Sequence, residues 1–84
     1  MTSAIPLPGL TRHAEQRMAQ RGIGCDHISE ALRRGRKYDS GSALLHYLPR
    51  AFGRTQGVTV VTDYRSSVVI TAYRAWNAPD CRRA

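Results

Sequence analysis

Residues 11–35 read TRHAEQRMAQRGIGCDHISEALRRG, and this stretch predicts two short helices joined by a sharp corner. At about 100° per residue, Leu10, Ala14 and Met18 form one apolar stripe. Thr11 is a good N-cap for that helix, because its hydroxyl can accept a hydrogen bond from an amide of the first turn. Gly22 can adopt the left-handed conformation that ends a helix. The first helix is therefore predicted over about 12–21.

The second helix is predicted over about 25–34. Asp26 suits the positive end of a helix dipole, and the basic pair Arg33 and Arg34 suits the negative end. Gly35 follows as a stop signal. The link between the helices, residues 22–24, is so short that it allows only a sharp turn. Ile23 in this link is expected to enter the core. The residues expected to be mostly buried are Leu10, Ala14, Met18, Ile23, Ile28, Leu32, Val61 and Ile70.

After residue 35 the period changes from helical to extended. The segments RKYD, SALLHYL, GVTVVTDY and SVVITAYRA are rich in Val, Thr, Tyr and Ile, which favour strands. Turn residues separate the first pair and the last pair, and a basic loop, residues 49–56, separates the two hairpins. The prediction is an α+β domain, with two N-terminal helices packed on a four-stranded antiparallel sheet. Residues 1–10 are expected to form a flexible arm, 11–76 the domain, and 77–84 an irregular basic tail.

The register of the last hairpin decides which face meets the helices. With Arg65 and Ser66 in the tight turn, Val61 pairs with Ile70, and their face is predicted to lie under the helices. The opposite face would then be partly open. A slip of one residue would exchange the two faces, and this turn lacks the Asn-Gly or Asp-Gly sequence that would prevent it.

The chain is strongly basic. Thirteen Lys and Arg residues against six Asp and Glu residues give a net charge of +7 and a pI near 10.5. Such a field attracts nucleic acid, an acidic protein or an anionic membrane surface. All of the basic residues except Lys37 are Arg, whose planar fork fits phosphate and guanine edges. A GC-rich genome would produce the same preference for Arg.

The sequence also bears on cellular location, on disulfide formation and on metal binding. No signal peptide and no transmembrane segment is visible, so a cytoplasmic protein without a membrane partner is expected. Cys25 and Cys81 match no metal or redox spacing. They are expected to be free thiols, with a disulfide that fastens the tail as the alternative. The three histidines have no regular spacing with the cysteines, so no metal and no other cofactor is expected.

Two groups of side chains could act on RNA. Cleavage without a metal needs a base, an acid and cations for the phosphorane charge. The candidates for these catalytic roles are His13, Arg17, Arg21 and Tyr73, and those for nucleic-acid binding are His46, Arg50, Arg54 and Arg74. Five of these residues have a simpler interpretation. The first three could be solvated, capping or ion-paired residues, His46 a core-edge histidine, and Tyr73 a packing residue.

The stretch RHAEQRMAQRGI, followed by a helix that ends in ALRRG and later by the strand VVITAYR, resembles the bacterial domain-of-unknown-function family 4258. That resemblance implies the compact helix-helix-sheet fold shared by RelE-type mRNA interferases and by barnase-like and colicin-type ribonucleases. The positions that match the recurrent polar pattern of the family are His13, Arg17, Arg21, Thr71 and Tyr73. Where the family commonly has a Ser that caps the second helix, this chain has Gly24.

The leading hypothesis is an RNA-targeting module, in its most specific form a metal-independent endoribonuclease toxin. RNA or another polyanion would be its target and an acidic antitoxin its protein partner. The alternative is a non-catalytic basic domain that binds nucleic acid or an acidic partner protein. A third hypothesis is a stand-alone domain with a structural or regulatory role.

Overall fold

The computed structural model describes residues 9–53 and 56–84. Both helices lie where the sequence predicts them, with α1 over Arg12–Arg21 and α2 over Cys25–Arg34. The hydroxyl of Thr11 accepts a hydrogen bond from the amide of Ala14 at 3.0 Å. Gly22 ends α1 with φ of 66°, a conformation that costs other residues about 1–2 kcal/mol. These local signals explain why the predicted boundaries of α1 are correct.

The sheet is larger than predicted and is mixed. Within the described residues it has six strands, in the order β1-β5-β4-β3-β2-β6. The four predicted strands form its antiparallel centre, and two short strands are added at the edges. The strands are β1 (Gly9–Leu10), β2 (Arg36–Asp39), β3 (Leu44–Phe52), β4 (Gln56–Thr62), β5 (Val68–Ala75) and β6 (Arg82–Arg83).

The edge strands correct the expected domain ends. β1 pairs in parallel with β5, with Gly9 opposite Val68, so the expected flexible arm does not extend to residue 10. Residues 1–8 lie outside the described residues. β6 pairs antiparallel with β2, with Arg83 opposite Tyr38, so the tail over 77–84 is not wholly irregular. Short strands of two residues carry too little periodicity to be detected in a sequence.

The register predicted for the β4–β5 hairpin is wrong by one residue. Val61 lies opposite Thr71, not Ile70, and Val60 lies opposite Ala72. Next to the turn, Thr62 lies opposite Val69, as the predicted register implies, and a bulge that leaves Ile70 unpaired then shifts the rest of the hairpin. A bulge leaves one residue of a strand unpaired, and the sequence gives no sign of it.

The two faces of β4 are exchanged relative to the prediction. The helices cover a cluster that includes Val58, Val60, Val69 and Ala72, together with the buried side chains of α1, α2 and the link between them. Val61 instead packs on the opposite face, where a second cluster contains Tyr38, Leu45 and Tyr47. Ile70 is 39% exposed, so its predicted burial is wrong. Of the other residues expected in the core, Leu10, Leu32 and Val61 are half-buried, whereas Ala14, Met18, Ile23 and Ile28 are buried.

Two further predictions concern cysteines and membranes. Cys25 and Cys81 are both free thiols, the first exposed and the second half-buried against the opposite face of the sheet. Within residues 9–53 and 56–84, neither helix is long and apolar enough to cross a bilayer.

Candidate nucleic-acid interface

Helix α1 is fixed alongside strand β5 at both of its ends. At the N-terminal end, the amide of Thr11 donates to the carbonyl of Val69 at 3.2 Å, and its hydroxyl donates to the carbonyl of Ile70 at 3.1 Å. At the other end, the Arg21 guanidinium donates to the carbonyl of Ala72 at 2.8 Å. Arg21 is half-buried, so its stem packs against the sheet while its head emerges at the helix–sheet seam.

Arg74 meets α1 at the same point from the sheet side. Its Nε donates to the carbonyl of Arg21 at 2.8 Å, which satisfies a carbonyl at the negative end of the helix. A Cβ atom on Gly22 would lie 2.9 Å from an Nη of Arg74. Gly22 therefore serves twice, because it supplies the left-handed helix stop and leaves space for the guanidinium.

Arg21, Tyr73 and Arg74 all line one open groove of about 760 Å³. The groove lies at the end of the helix–sheet seam, where the last turn of α1 faces the end of β5. Residues from two separate segments line it, namely Ala19, Gln20, Arg21, Gly22, Tyr73 and Arg74. It thus combines two arginines and a glutamine with Tyr73, whose side chain leaves β5 on the face opposite that of Arg74.

An aromatic stack continues from the groove. The guanidinium carbon of Arg74 lies 4.1 Å from the centre of the Phe52 ring, a cation–π distance. The Phe52 ring centre lies 4.3 Å from that of His27, with the two rings tilted by 44°. Phe52 and His27 were not predicted as site residues. The sequence feature that could have identified Phe52 as a site residue is its position as an aromatic residue inside the basic loop over 49–56.

His27 also supplies the missing cap of α2. Gly24 has no side chain, but its amide donates to Nδ1 of His27 at 3.0 Å. That bond satisfies an amide at the start of the helix and makes Nδ1 the acceptor, so the neutral ring carries its hydrogen on Nε2. The departure from the family pattern at Gly24 therefore leaves the start of α2 unchanged.

His13 and Arg17 do not line the groove. His13 is exposed in the first turn of α1, and Arg17 is half-buried with its guanidinium donating to Gln20 at 3.0 Å. Since α1 rises by about 1.5 Å per residue, His13 lies about two turns from Arg21. Of the predicted catalytic set, the structure brings together Arg21 and Tyr73, and Arg17 contacts a residue that lines the groove.

The residues predicted to bind nucleic acid are also divided. Arg74 lines the groove, and Arg50 lines a second recess of about 300 Å³ together with His27. Arg50 has φ of 61°, which is uncommon for a residue other than glycine. Arg54 lies outside the described residues.

His46 is buried, which does not fit the prediction that it binds nucleic acid. It is 1% exposed, and its Nε2 lies 2.8 Å from the Thr62 hydroxyl. That hydroxyl donates to the carbonyl of Asp63, so Nε2 carries the hydrogen and Nδ1 is left without a partner. Burial lowers the pKa of His46, and Lys37 lowers it further. His46, between Leu45 and Tyr47 in β3, is thus a core residue.

Comparison with known proteins gives one match. The family model described as "Domain of unknown function (DUF4258)" matches residues 10–74. No curated protein and no solved structure matches the chain. The matched segment runs from the end of β1 to Arg74 and includes the whole groove. The chain belongs to the family of domains of unknown function DUF4258.

Proposed function

We propose that this domain binds single-stranded RNA at the groove between the end of α1 and the end of β5. The observation that carries the proposal is that Arg21 and Arg74 meet at one open groove, with the Phe52 ring against Arg74, in a chain with a net charge of +7. Arginine pairs with phosphate through two parallel hydrogen bonds. Aromatic rings stack on unpaired bases, so a groove that offers both suits a single strand.

The guanidinium groups keep donors free for a ligand. A guanidinium has five N–H donors. Arg21 uses Nη1 toward Ala72, and Arg74 uses Nε toward the helix end and Nη1 toward Gln56 at 3.5 Å. Within the part of the chain that the structure describes, neither guanidinium forms an ion pair, whereas Arg33 and Arg34 both pair with Glu30. The protein contacts fix the two heads in place, which lowers the entropy cost of binding a phosphate.

Cleavage of the bound RNA is a second candidate, because Tyr73 is among the residues that line the groove with Arg21 and Arg74. Tyrosine can transfer a proton, and the guanidinium groups can stabilise the phosphorane. No histidine lines the groove, so the proposed RelE-like toxin activity would depend on Tyr73 alone for proton transfer there. Binding needs only the groups that the groove holds, and it is therefore proposed first.

Fluorescence anisotropy with a labelled oligouridylate tests the binding proposal. We expect Arg21→Ala and Arg74→Lys each to weaken binding by about tenfold or more, because a hydrogen bond to a charged group contributes about 1.5–3 kcal/mol. Arg74→Lys keeps the charge and removes the planar fork. Arg65→Ala removes one charge from the exposed β4–β5 turn and is the matched control for Arg21→Ala, with an expected loss of less than about twofold.

Two outcomes would contradict the proposal. One is wild-type protein that fails to bind the oligomer at low salt. The other is a loss of affinity with Arg65→Ala as large as with Arg21→Ala, which would show that net charge alone drives binding. Circular dichroism and thermal unfolding confirm that each variant is folded. Tight binding of poly-glutamate without binding of RNA would favour the alternative of an acidic protein partner.

Cleavage is tested separately by gel analysis of end-labelled RNA in EDTA, and by growth after induced expression. A toxin requires RNA cleavage and growth arrest in the wild type, both reduced by Tyr73→Phe. His13→Ala and Arg17→Ala should retain both, because His13 and Arg17 lie outside the groove. Intact RNA with the wild type would leave binding as the function.

A further inference from the structure

Next to the groove lies the second recess, whose lining has a different chemistry. Its floor is apolar and comes from the end of β3, with Leu48, Pro49 and Ala51. Its wall comes from α2 and includes the carboxylates of Asp26 and Glu30. Arg34 and Arg50 also line the recess, so its charges are mixed, whereas both charged residues that line the groove are arginines. The groove is therefore the better site for the RNA backbone. An apolar floor with a few polar groups above it suits a flat heterocycle.

The aromatic stack joins the recess to the groove. Arg74 lines the groove and contacts Phe52, and Phe52 contacts His27, which lines the recess. A strand whose phosphate lies on Arg21 and Arg74 can therefore pass across the Phe52 ring and place a neighbouring base in the recess.

The carboxylate of Asp26 is available to a ligand. Glu30 is occupied by ion pairs with Arg33 and Arg34, the latter at 3.1 Å. Asp26 is exposed, and in the described part of the chain its side chain makes no hydrogen bond or ion pair. An ionised carboxylate is an acceptor with two oxygens. The base that matches it must present two adjacent N–H donors.

We propose that the recess binds guanine, with the Asp26 carboxylate accepting from N1–H and from the 2-amino group. Guanine is the RNA base whose Watson–Crick edge has two adjacent donors. Adenine, cytosine and uracil each place an acceptor beside their donor, and a carboxylate repels that acceptor. Arg50 also lines the recess, and arginine is a favoured partner of the guanine O6 and N7 atoms. This inference rests on the proposed RNA binding at the groove.

Single substitutions in a labelled oligouridylate test the proposal by anisotropy. One central uridine is replaced by guanosine, adenosine, cytidine or inosine. We expect the guanosine oligomer to bind about tenfold tighter than the all-uridine one, as is typical of a bidentate base contact. Inosine retains N1–H and lacks the 2-amino group, so its affinity should lie between those of guanosine and adenosine.

Asp26→Asn should abolish the preference for guanosine, because the amide has one acceptor atom in place of two. Asp80→Asn makes the same change of charge at an exposed position outside the recess and should keep the preference. Equal affinity for all five oligomers, or a preference that survives Asp26→Asn, would overturn the guanine proposal while leaving RNA binding intact. No binding of any oligomer by the wild type would overturn both proposals.

Discussion

The two ends of the sheet use their polar residues in different ways. The turn end is formed by residues 39–43 and 63–67. Its carboxylates accept hydrogen bonds from other groups of the protein. Asp63 accepts from the amide and the hydroxyl of Ser67, each at 2.7 Å, and Asp39 accepts from the amide of Gly41 and the hydroxyl of Tyr64, each at 2.8 Å. These hydrogen bonds lower the pKa of both carboxyl groups.

The groove end, formed by residues 19–27, 48–53 and 73–75, holds its cations in place without neutralising them. Arg21 and Arg74 bind backbone carbonyls, which orient a guanidinium and leave its charge intact. Charges that a fold holds in place but does not pair are therefore the better candidates for ligand binding. At the turn end, the polar residues instead stabilise the turns.

The largest expected effect concerns His46, which contacts the turn end through Thr62 and Ser66. Burial lowers its pKa from the ordinary value of 6.5, so the unfolded chain takes up a proton before the folded one does. The free energy of unfolding should therefore be highest above pH 6.5 and fall as the pH drops, by up to about 1.4 kcal/mol per pH unit. Urea unfolding at several pH values measures it.

His46→Gln is the matched variant, because the amide can still donate to Thr62 and does not titrate. This substitution should remove the pH dependence of the free energy of unfolding at pH values above those at which carboxyl groups titrate. Asp39 and Asp63 have lowered pKa values and lose their contribution only below about 3.8. An unchanged slope in His46→Gln would show that other groups control the acid sensitivity.

The next effect tests the double role of Gly22. Gly22→Ala should lower the free energy of unfolding by about 1–2 kcal/mol, because φ is positive there. It should also weaken RNA binding, since the new Cβ would displace the Arg74 guanidinium. Gly41 also has a positive φ but has open space around its Cβ position. Gly41→Ala should therefore cost similar stability and leave affinity unchanged, and loss of affinity in both variants would contradict this account.

A smaller effect is expected at Arg50, which lines the recess and has a positive φ. Asn tolerates this conformation better than Arg, so Arg50→Asn should raise the free energy of unfolding by about 0.5–1 kcal/mol. Affinity for RNA should fall at the same time, because a cation of the recess is lost. Thermal unfolding and anisotropy on the same sample measure both. A variant that is more stable and binds equally well would show that Arg50 has no part in binding.

The sequence predicts the local structure better than the long-range geometry. Thr11, Gly22 and Gly35 mark the helix ends because capping depends on near neighbours. The face of β4 was predicted wrongly because a bulge shifts the register, and only the packed structure determines that shift. Arg21 and Tyr73 were both predicted as site residues, but the sequence alone does not show that Arg21 lines the groove and that His13, on the same helix, does not. That difference depends on the contact of Arg21 with the end of β5.

The central claim is that RNA binds at the groove end and not at the turn end. Titration of ¹⁵N-labelled protein with an oligouridylate, followed by two-dimensional NMR, tests it residue by residue. We expect the amide shifts of residues 19–27, 48–53 and 73–75 to change, together with the side-chain Nε–H signals of Arg21 and Arg74. The shifts of residues 39–43 and 63–67 should remain unchanged. Shifts that are spread evenly over the basic surface, or centred on the turn end, would contradict it.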